Sequence, residues 1–198
     1  MDTPDSTSIY PLEGGCACGH VRYRLEARPL IIHCCHCTSC QRETGTAFAL
    51  NAIIESNLVT RLPPARPSVP ASRTQPAKPA GPPLTRPGED AADLERITTP
   101  SESGKGQRIV RCPMCRVAVW SHYGGAGSLP RTFVRVGTLD EAWKVQPDVH
   151  IYTRSRRMFF KLDGSIPEFE GYYPSKVGVW SQESLIRWEK LAAMDGSK

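Results

Sequence analysis

Apolar and polar positions alternate with a two-residue period through much of the chain. Val21, Tyr23 and Leu25 alternate with Arg22, Arg24 and Glu26, the pattern of a strand with one buried face. Phe48, Leu50, Ala52 and Ile54 repeat it, and further strands are expected at Arg108–Arg111, Val117–Ser121, Thr132–Gly137 and Val149–Tyr152. Turns at Gly14-Gly15, Gly124-Gly125-Ala126-Gly127 and Asp163-Gly164 separate or end these elements. A helical period occurs only near the C-terminus, where Ser181 stands as N-cap and Leu185, Trp188 and Ala192 share one face. The pattern predicts a mostly β fold with a short C-terminal helix.

Between residues 62 and 100 the periodicity fails. Ten of the 18 prolines lie from Pro63 to Pro100, and no aromatic residue occurs between Phe48 and Trp120. A stretch of this composition buries too little apolar surface to offset its ordering entropy, so it reads as a disordered or polyproline-II insert. Its length is no obstacle, because each doubling of a loop costs only about 0.6 kcal/mol. The expected organisation is a single domain over residues 1–198, with a core of about 12–61 plus 101–192 interrupted by the insert 62–100.

Composition and charge remove several classes of function. No run of about 18 apolar residues is present, so no membrane-spanning helix is expected. The polar, acidic start from Met1 to Leu12 lacks the apolar centre of a signal peptide. The expected location is the cytoplasm, with the nucleus as the alternative. In such a reducing compartment spaced cysteines serve as metal ligands rather than disulfides. The formal charge of +5 counts every cysteine as neutral; seven thiolates holding two dications bring it to +2. The pI of 8.8 lies below the value of about 9 that marks nucleic-acid-binding domains, so charge does not favour nucleic acid as a partner.

The eight cysteines form three groups: Cys16 and Cys18; Cys34, Cys35, Cys37 and Cys40; Cys112 and Cys115. Cys16-Ala17-Cys18 and Cys112-Pro113-Met114-Cys115 are short turns that each aim two sulfurs at one place, and four thiolates complete a closed tetrahedral zinc site. Paired disulfides or buried free thiols are the alternative. The run Cys35-His36-Cys37-Thr38-Ser39-Cys40 offers three sulfurs and no obvious fourth. Three protein ligands leave a position for water or a substrate atom, which distinguishes catalytic from structural zinc. Cys34 should point to the opposite face of an extended chain, whereas His33 and His36 remain candidates to close the site. Three thiolates more than cancel the charge of zinc and make it a weak Lewis acid, better suited to holding an incoming thiol as thiolate than to hydrolysis. Carbon–sulfur bond chemistry follows from that donor set.

Gly14-Gly15-Cys16-Ala17-Cys18-Gly19-His20-Val21-Arg22-Tyr23, followed by Cys35-His36-Cys37-Thr38-Ser39-Cys40-Gln41-Arg42 and Thr44-Gly45, resembles the glutathione-dependent formaldehyde-activating enzyme (GFA) family, which includes centromere protein V. Ser103-Gly104-Lys105, Arg111-Cys112-Pro113-Met114-Cys115, Gly137-Thr138-Leu139-Asp140 and Pro147-Asp148-Val149-His150-Ile151 extend the resemblance from about Leu12 to Tyr173, outside the insert. The resemblance implies a fold of the Mss4-like type, with small antiparallel sheets organised around zinc. It assigns Cys16, Cys18, Cys112 and Cys115 to a structural zinc ion, and Cys35, Cys37 and Cys40 to a catalytic one. It implies a zinc-dependent carbon–sulfur lyase or synthase whose partners are a small thiol such as glutathione and a small aldehyde. A zinc-stabilised, non-catalytic interaction module of the centromere protein V type is the alternative. Two positions depart from the family: Arg116 replaces a usual Gly after the last cysteine, and Arg111 replaces a bulky aromatic. Gly at such a turn supplies a positive backbone dihedral, so Arg116 is expected to strain or reshape it. His150 is expected to be a satisfied core histidine in a strand, with a proton shuttle as the alternative. Arg154, Arg156, Arg157 and Lys161 form either a solvated face or a clamp for carboxylates.

Overall fold

A computed structural model describes residues 9–65, 94–124 and 130–195 of the 198. Its elements are β1 (Leu12–Gly15), β2 (Arg22–Leu25), β3 (Ile31–Cys35), α1 (Thr38–Thr44), β4 (Ala49–Glu55), β5 (Val59–Leu62), β6 (Glu95–Thr99), β7 (Gln107–Arg111), β8 (Ala118–Tyr123), β9 (Arg131–Arg135), β10 (Val149–Ile151) and α2 (Gln182–Asp195), with short 3-10 turns between some of them. The fold is mostly β, with two sheets and a short C-terminal helix. A three-stranded antiparallel sheet has the order β1-β2-β5; the second runs β10-β3-β4-β9-β8-β7-β6. The expectation of small antiparallel sheets is met by the first. The second is seven strands wide, and its β10–β3 pair is parallel.

The alternation along β3 and β4 sorts the core into two layers. Ile32, Ala52 and Ile54 face the small sheet and pack with Leu12, Val21, Tyr23 and Leu25. Ile31, Cys35, Ala49 and Ile53 face the other way, toward Tyr173, Trp180 and the α2 residues Leu185 and Trp188. Tyr23 is fully buried edge-on to Trp120, with ring centroids 5.7 Å apart, and its hydroxyl meets Thr138 Oγ1 at 2.6 Å. A methyl group on Gly14 would lie 2.6 Å from the Thr138 carbonyl oxygen and 2.7 Å from that hydroxyl; one on Gly15 would lie 2.3 Å from the Val21 carbonyl oxygen. Both glycines are therefore required by close approach. They belong to β1 and not to a turn, which corrects the sequence expectation.

Three other expectations need correction. α1 was not foreseen, because its N-cap is Cys37 rather than the usual Ser, Thr, Asp or Asn. β6 occupies Glu95–Thr99, inside the stretch 62–100 expected to be unpacked, and pairs along its length with β7. Residues 66–93 of that stretch, and 125–129 of the glycine turn after Tyr123, lie outside the described residues. In α2 the Ser184 N–H donates to Ser181 Oγ at 3.1 Å as the cap requires, but Leu191 is the buried residue of the last turns and Ala192 is exposed. Arg187 anchors this helix to β4 through a two-point pair with Glu55, at 2.9 and 2.6 Å.

Candidate functional site

Two tight turns carry the first cluster. In the β1–β2 turn the Cys16 N–H bonds the Val21 carbonyl at 2.9 Å and the Gly19 N–H bonds the Cys16 carbonyl at 3.1 Å. In the β7–β8 turn Cys112 N–H bonds the Val117 carbonyl at 3.0 Å and Arg116 N–H bonds the Cys112 carbonyl at 2.9 Å. Gly19 and Arg116 occupy equivalent places, at φ 78° and 64°. The turn keeps its shape with arginine at the left-handed position, so the departure expresses itself as backbone strain. The four sulfurs of Cys16, Cys18, Cys112 and Cys115 lie within 4.8 Å of one another, Cys18 Sγ being 3.5 Å from Cys16 Sγ and 3.6 Å from Cys112 Sγ. An ion bound tetrahedrally about 2.3 Å from each sulfur spaces the sulfurs by about 3.8 Å, so the donor set fits. All eight cysteines are unpaired. Backbone N–H groups point at the sulfurs: Val21 N–H to Cys16 at 3.2 Å and Met114 N–H to Cys112 at 3.4 Å. Burial opposes ionisation of Cys115, yet the N–H groups of Val117 and Cys18 and the neighbouring thiols bring it down to about 7.

The second cluster joins the end of β3 to α1. Cys35 is the last residue of β3, Cys37 is the N-cap of α1, and Cys40 lies in its first turn, where its N–H donates to Cys37 Sγ at 3.3 Å. Gly45, left-handed at φ 66°, closes the helix by donating to the Gln41 carbonyl at 2.9 Å. The three sulfurs lie within 4.8 Å of one another and are buried. Hydrogen bonds from the Cys35 thiol, the Cys40 thiol and the N–H groups of Cys40 and Ser39 hold the Cys37 thiol well below its usual range against the opposing effect of burial. No fourth metal-ligating group joins it among the described residues. His33 Nε2 is engaged with the Tyr173 hydroxyl at 3.0 Å, and His36 stands with a different set of partners. Neither of these histidines, both candidates to close the site, lies with the three sulfurs.

Around this cluster the structure supplies charge and phenols. Arg135 is buried; one nitrogen bonds Asn51 Oδ1, while Nε and Nη2 have no hydrogen-bond partner among the described residues. Its positive charge acts on Cys40 and on Tyr123. Tyr152, at φ 57°, feels the charges of Cys35 and Cys37 after the larger effect of burial, and all of these raise its phenol above the usual range. Arg111, the other departure, spans the two clusters: it donates to the Arg116 carbonyl at 3.0 Å in one turn and to Glu43 at 2.5 Å on α1. A cavity of about 380 Å3 opens beside α1, lined by Thr38, Gln41, Arg42, Ser155 and Arg157. The basic group read from the sequence is therefore divided. Arg157 faces this cavity, Arg154 pairs with Glu102 at 2.7 Å, Arg156 donates to the Phe160 carbonyl, and Lys161 lines a different cavity.

Sequence reasoning missed a third cluster. Cys34 points away from Cys35, as expected, and its sulfur lies 3.6 Å from His36 Nε2, which is 2.9 Å from His150 Nδ1. His150 sits in a strand and is buried as foreseen, but its partner was not. The register of the parallel pair, which sets His150 beside Cys34, is a long-range pairing that no local pattern announces.

A family model described as glutathione-dependent formaldehyde-activating enzyme matches residues 11–73 and 89–155, most of the chain. No curated protein matches it.

Proposed function

Because the chain belongs to the glutathione-dependent formaldehyde-activating enzyme family, we propose that it is a zinc-dependent carbon–sulfur lyase or the corresponding synthase, acting on a thiol–aldehyde adduct such as S-(hydroxymethyl)glutathione. Two zinc ions per chain are assigned: one to Cys16, Cys18, Cys112 and Cys115, the other to Cys35, Cys37 and Cys40. The observation that carries the reading is the difference between the clusters, four converging sulfurs in one and three in the other. Zinc held by three thiolates with one position free stabilises an incoming thiol as thiolate.

The chain's own residues do the rest. In synthesis the sulfur electron pair forms a bond to the carbonyl carbon, the carbonyl π pair moves to oxygen, and that oxygen takes up a proton; cleavage reverses each movement. The Tyr152 phenol, kept protonated by burial and by the neighbouring sulfurs, donates a hydrogen bond to the oxygen that gains charge. The positive charge of Arg135, which acts on Cys40, offsets the negative charge of the thiolate cluster. Arg42 and Arg157, in the cavity beside α1, orient the carboxylates of a glutathione-like thiol by charge-assisted hydrogen bonds. A reducing compartment such as the cytoplasm keeps the cysteines available to metal. Calorimetric titration of glutathione into zinc-loaded protein tests the reading. Binding that disappears on replacing Arg42 and Arg157 by Gln supports it; no binding by the zinc-loaded parent contradicts it.

A further inference from the structure

We propose that Cys34, His36 and His150 form a third metal site, distinct from the seven cysteines already assigned, which takes zinc or another borderline-soft divalent ion such as cobalt. Two neighbouring strands, β3 and β10, build it. Cys34 pairs with His150, so these two side chains share one face of the sheet. His36, just beyond β3, folds back onto that face, held by its N–H to the Ile151 carbonyl at 2.9 Å. All three are buried, at 1%, 0% and 9% exposure. Their ligand atoms lie within 4.8 Å of one another.

The donor chemistry selects a cation. His36 Nε2 faces both His150 Nδ1, at 2.9 Å, and Cys34 Sγ, at 3.6 Å. His36 Nε2 carries either one N–H or one lone pair, so it makes one good hydrogen bond toward its two neighbours, whereas one cation accepts lone pairs from all three. A tetrahedral ion at about 2.3 Å from sulfur and about 2.0–2.1 Å from imidazole nitrogen spaces sulfur and nitrogen by about 3.5 Å and the two nitrogens by about 3.3 Å. The Cys34–His36 sulfur–nitrogen distance already matches, and the two rings need separate by only about 0.4 Å. Phe48 and Phe160 close around the imidazoles, with centroids 5.8 and 5.5 Å from that of His36. Cys34 and His150 line a cavity of about 430 Å3 into which Asp163 also faces, so the fourth position is open to water or a carboxylate. The alternative, Cys34 as a nucleophile with a histidine base, requires a free and alkylatable thiol, which a metal-held sulfur is not.

Full-length protein is equilibrated with excess Zn2+, freed of unbound ion, and analysed for zinc by mass spectrometry, with circular dichroism as a control of folding. Three equivalents in the parent and two in Cys34→Ala and His150→Ala are expected. In a parallel Co2+ titration, the sulfur-to-cobalt absorption of the parent should exceed that of Cys34→Ala by the contribution of one thiolate. If His150→Ala does not fold, Cys34→Ala, which removes one buried sulfur, carries the test. Equal zinc content in the parent and in folded Cys34→Ala overturns the proposal. So does rapid alkylation of Cys34 in zinc-saturated protein, which identifies a free nucleophile instead.

Discussion

Cys34 and Cys35 are adjacent in the chain and stand on opposite faces of β3, one joining His36 and His150, the other joining Cys37 and Cys40. A shift of β3 by one residue would exchange the two sulfurs and destroy both clusters. Asp148 fixes the register. Its carboxylate accepts the Ile32 N–H at 2.7 Å and a bond from Arg28 at 2.9 Å, while its own N–H donates to the Ile32 carbonyl at 2.8 Å. The parallel β10–β3 pairing starts from that anchor.

The two sulfur clusters differ in what their loss removes. Cys112 ties the β7–β8 turn to the β1–β2 turn of the other sheet, 94 positions from Cys18. Cys112→Ser should therefore destabilise the protein by several kcal/mol or prevent its folding, since a closed zinc site contributes directly to folding. Cys37→Ser should release one zinc ion and leave the protein folded. Metal analysis together with thermal denaturation of both variants checks the contrast.

Arg116 holds a left-handed backbone that costs a non-glycine residue about 1–2 kcal/mol. Its side chain returns an ion pair with Glu95 at 2.6 Å, but the arginine is 65% exposed, and such pairs contribute about 0–1 kcal/mol. Arg116→Gly should raise stability by about 0.5–1 kcal/mol, read as an increase in Tm with zinc content unchanged.

Burial holds His33 down to about 3, against an ordinary 6.5. The folded protein keeps this histidine neutral, so its contribution is complete above pH 6.5 and is lost as pH falls toward 3. The slope is about 1.4 kcal/mol per pH unit below 6.5. In His33→Asn the fall of stability with acid should be shallower than in the parent by about that amount, measured by urea denaturation between pH 6.5 and 5.

In the proposed reaction Tyr152 donates to the oxygen that gains charge. Tyr152→Phe should slow adduct interconversion at least about tenfold while leaving glutathione affinity within about twofold, the pattern of an interaction made in the transition state alone.

Much of this architecture was legible because strands that cover a core write themselves in period two. Val21, Tyr23 and Leu25 announced β2, and the Cys-x-Cys and Cys-x-x-Cys spacings announced turns that gather sulfur. β3 was missed because Leu30, Ile31 and Ile32 form an unbroken apolar run that ends in cysteines: a strand buried on both faces has no alternation to read. α1 had a readable end, Arg42 in the last turn and Gly45 after it, but a sulfur at its start. β6 hid in polar Glu95-Arg96-Ile97-Thr98-Thr99, an edge strand with one half-covered face. The His36–His150 pair crosses 114 positions, and only the tertiary fold brings those rings together.

In the proposed reaction Cys35, Cys37 and Cys40 hold an open metal that promotes carbon–sulfur bond making and breaking. Exchange NMR on glutathione, formaldehyde and their adduct at equilibrium measures this directly, in the presence of zinc-loaded parent, zinc-loaded Cys37→Ser, or buffer alone. Interconversion should be faster with the parent than in buffer and return to the buffer rate with Cys37→Ser. A parent that leaves the rate at the buffer value, or a Cys37→Ser variant that matches an accelerating parent, contradicts the proposed reaction.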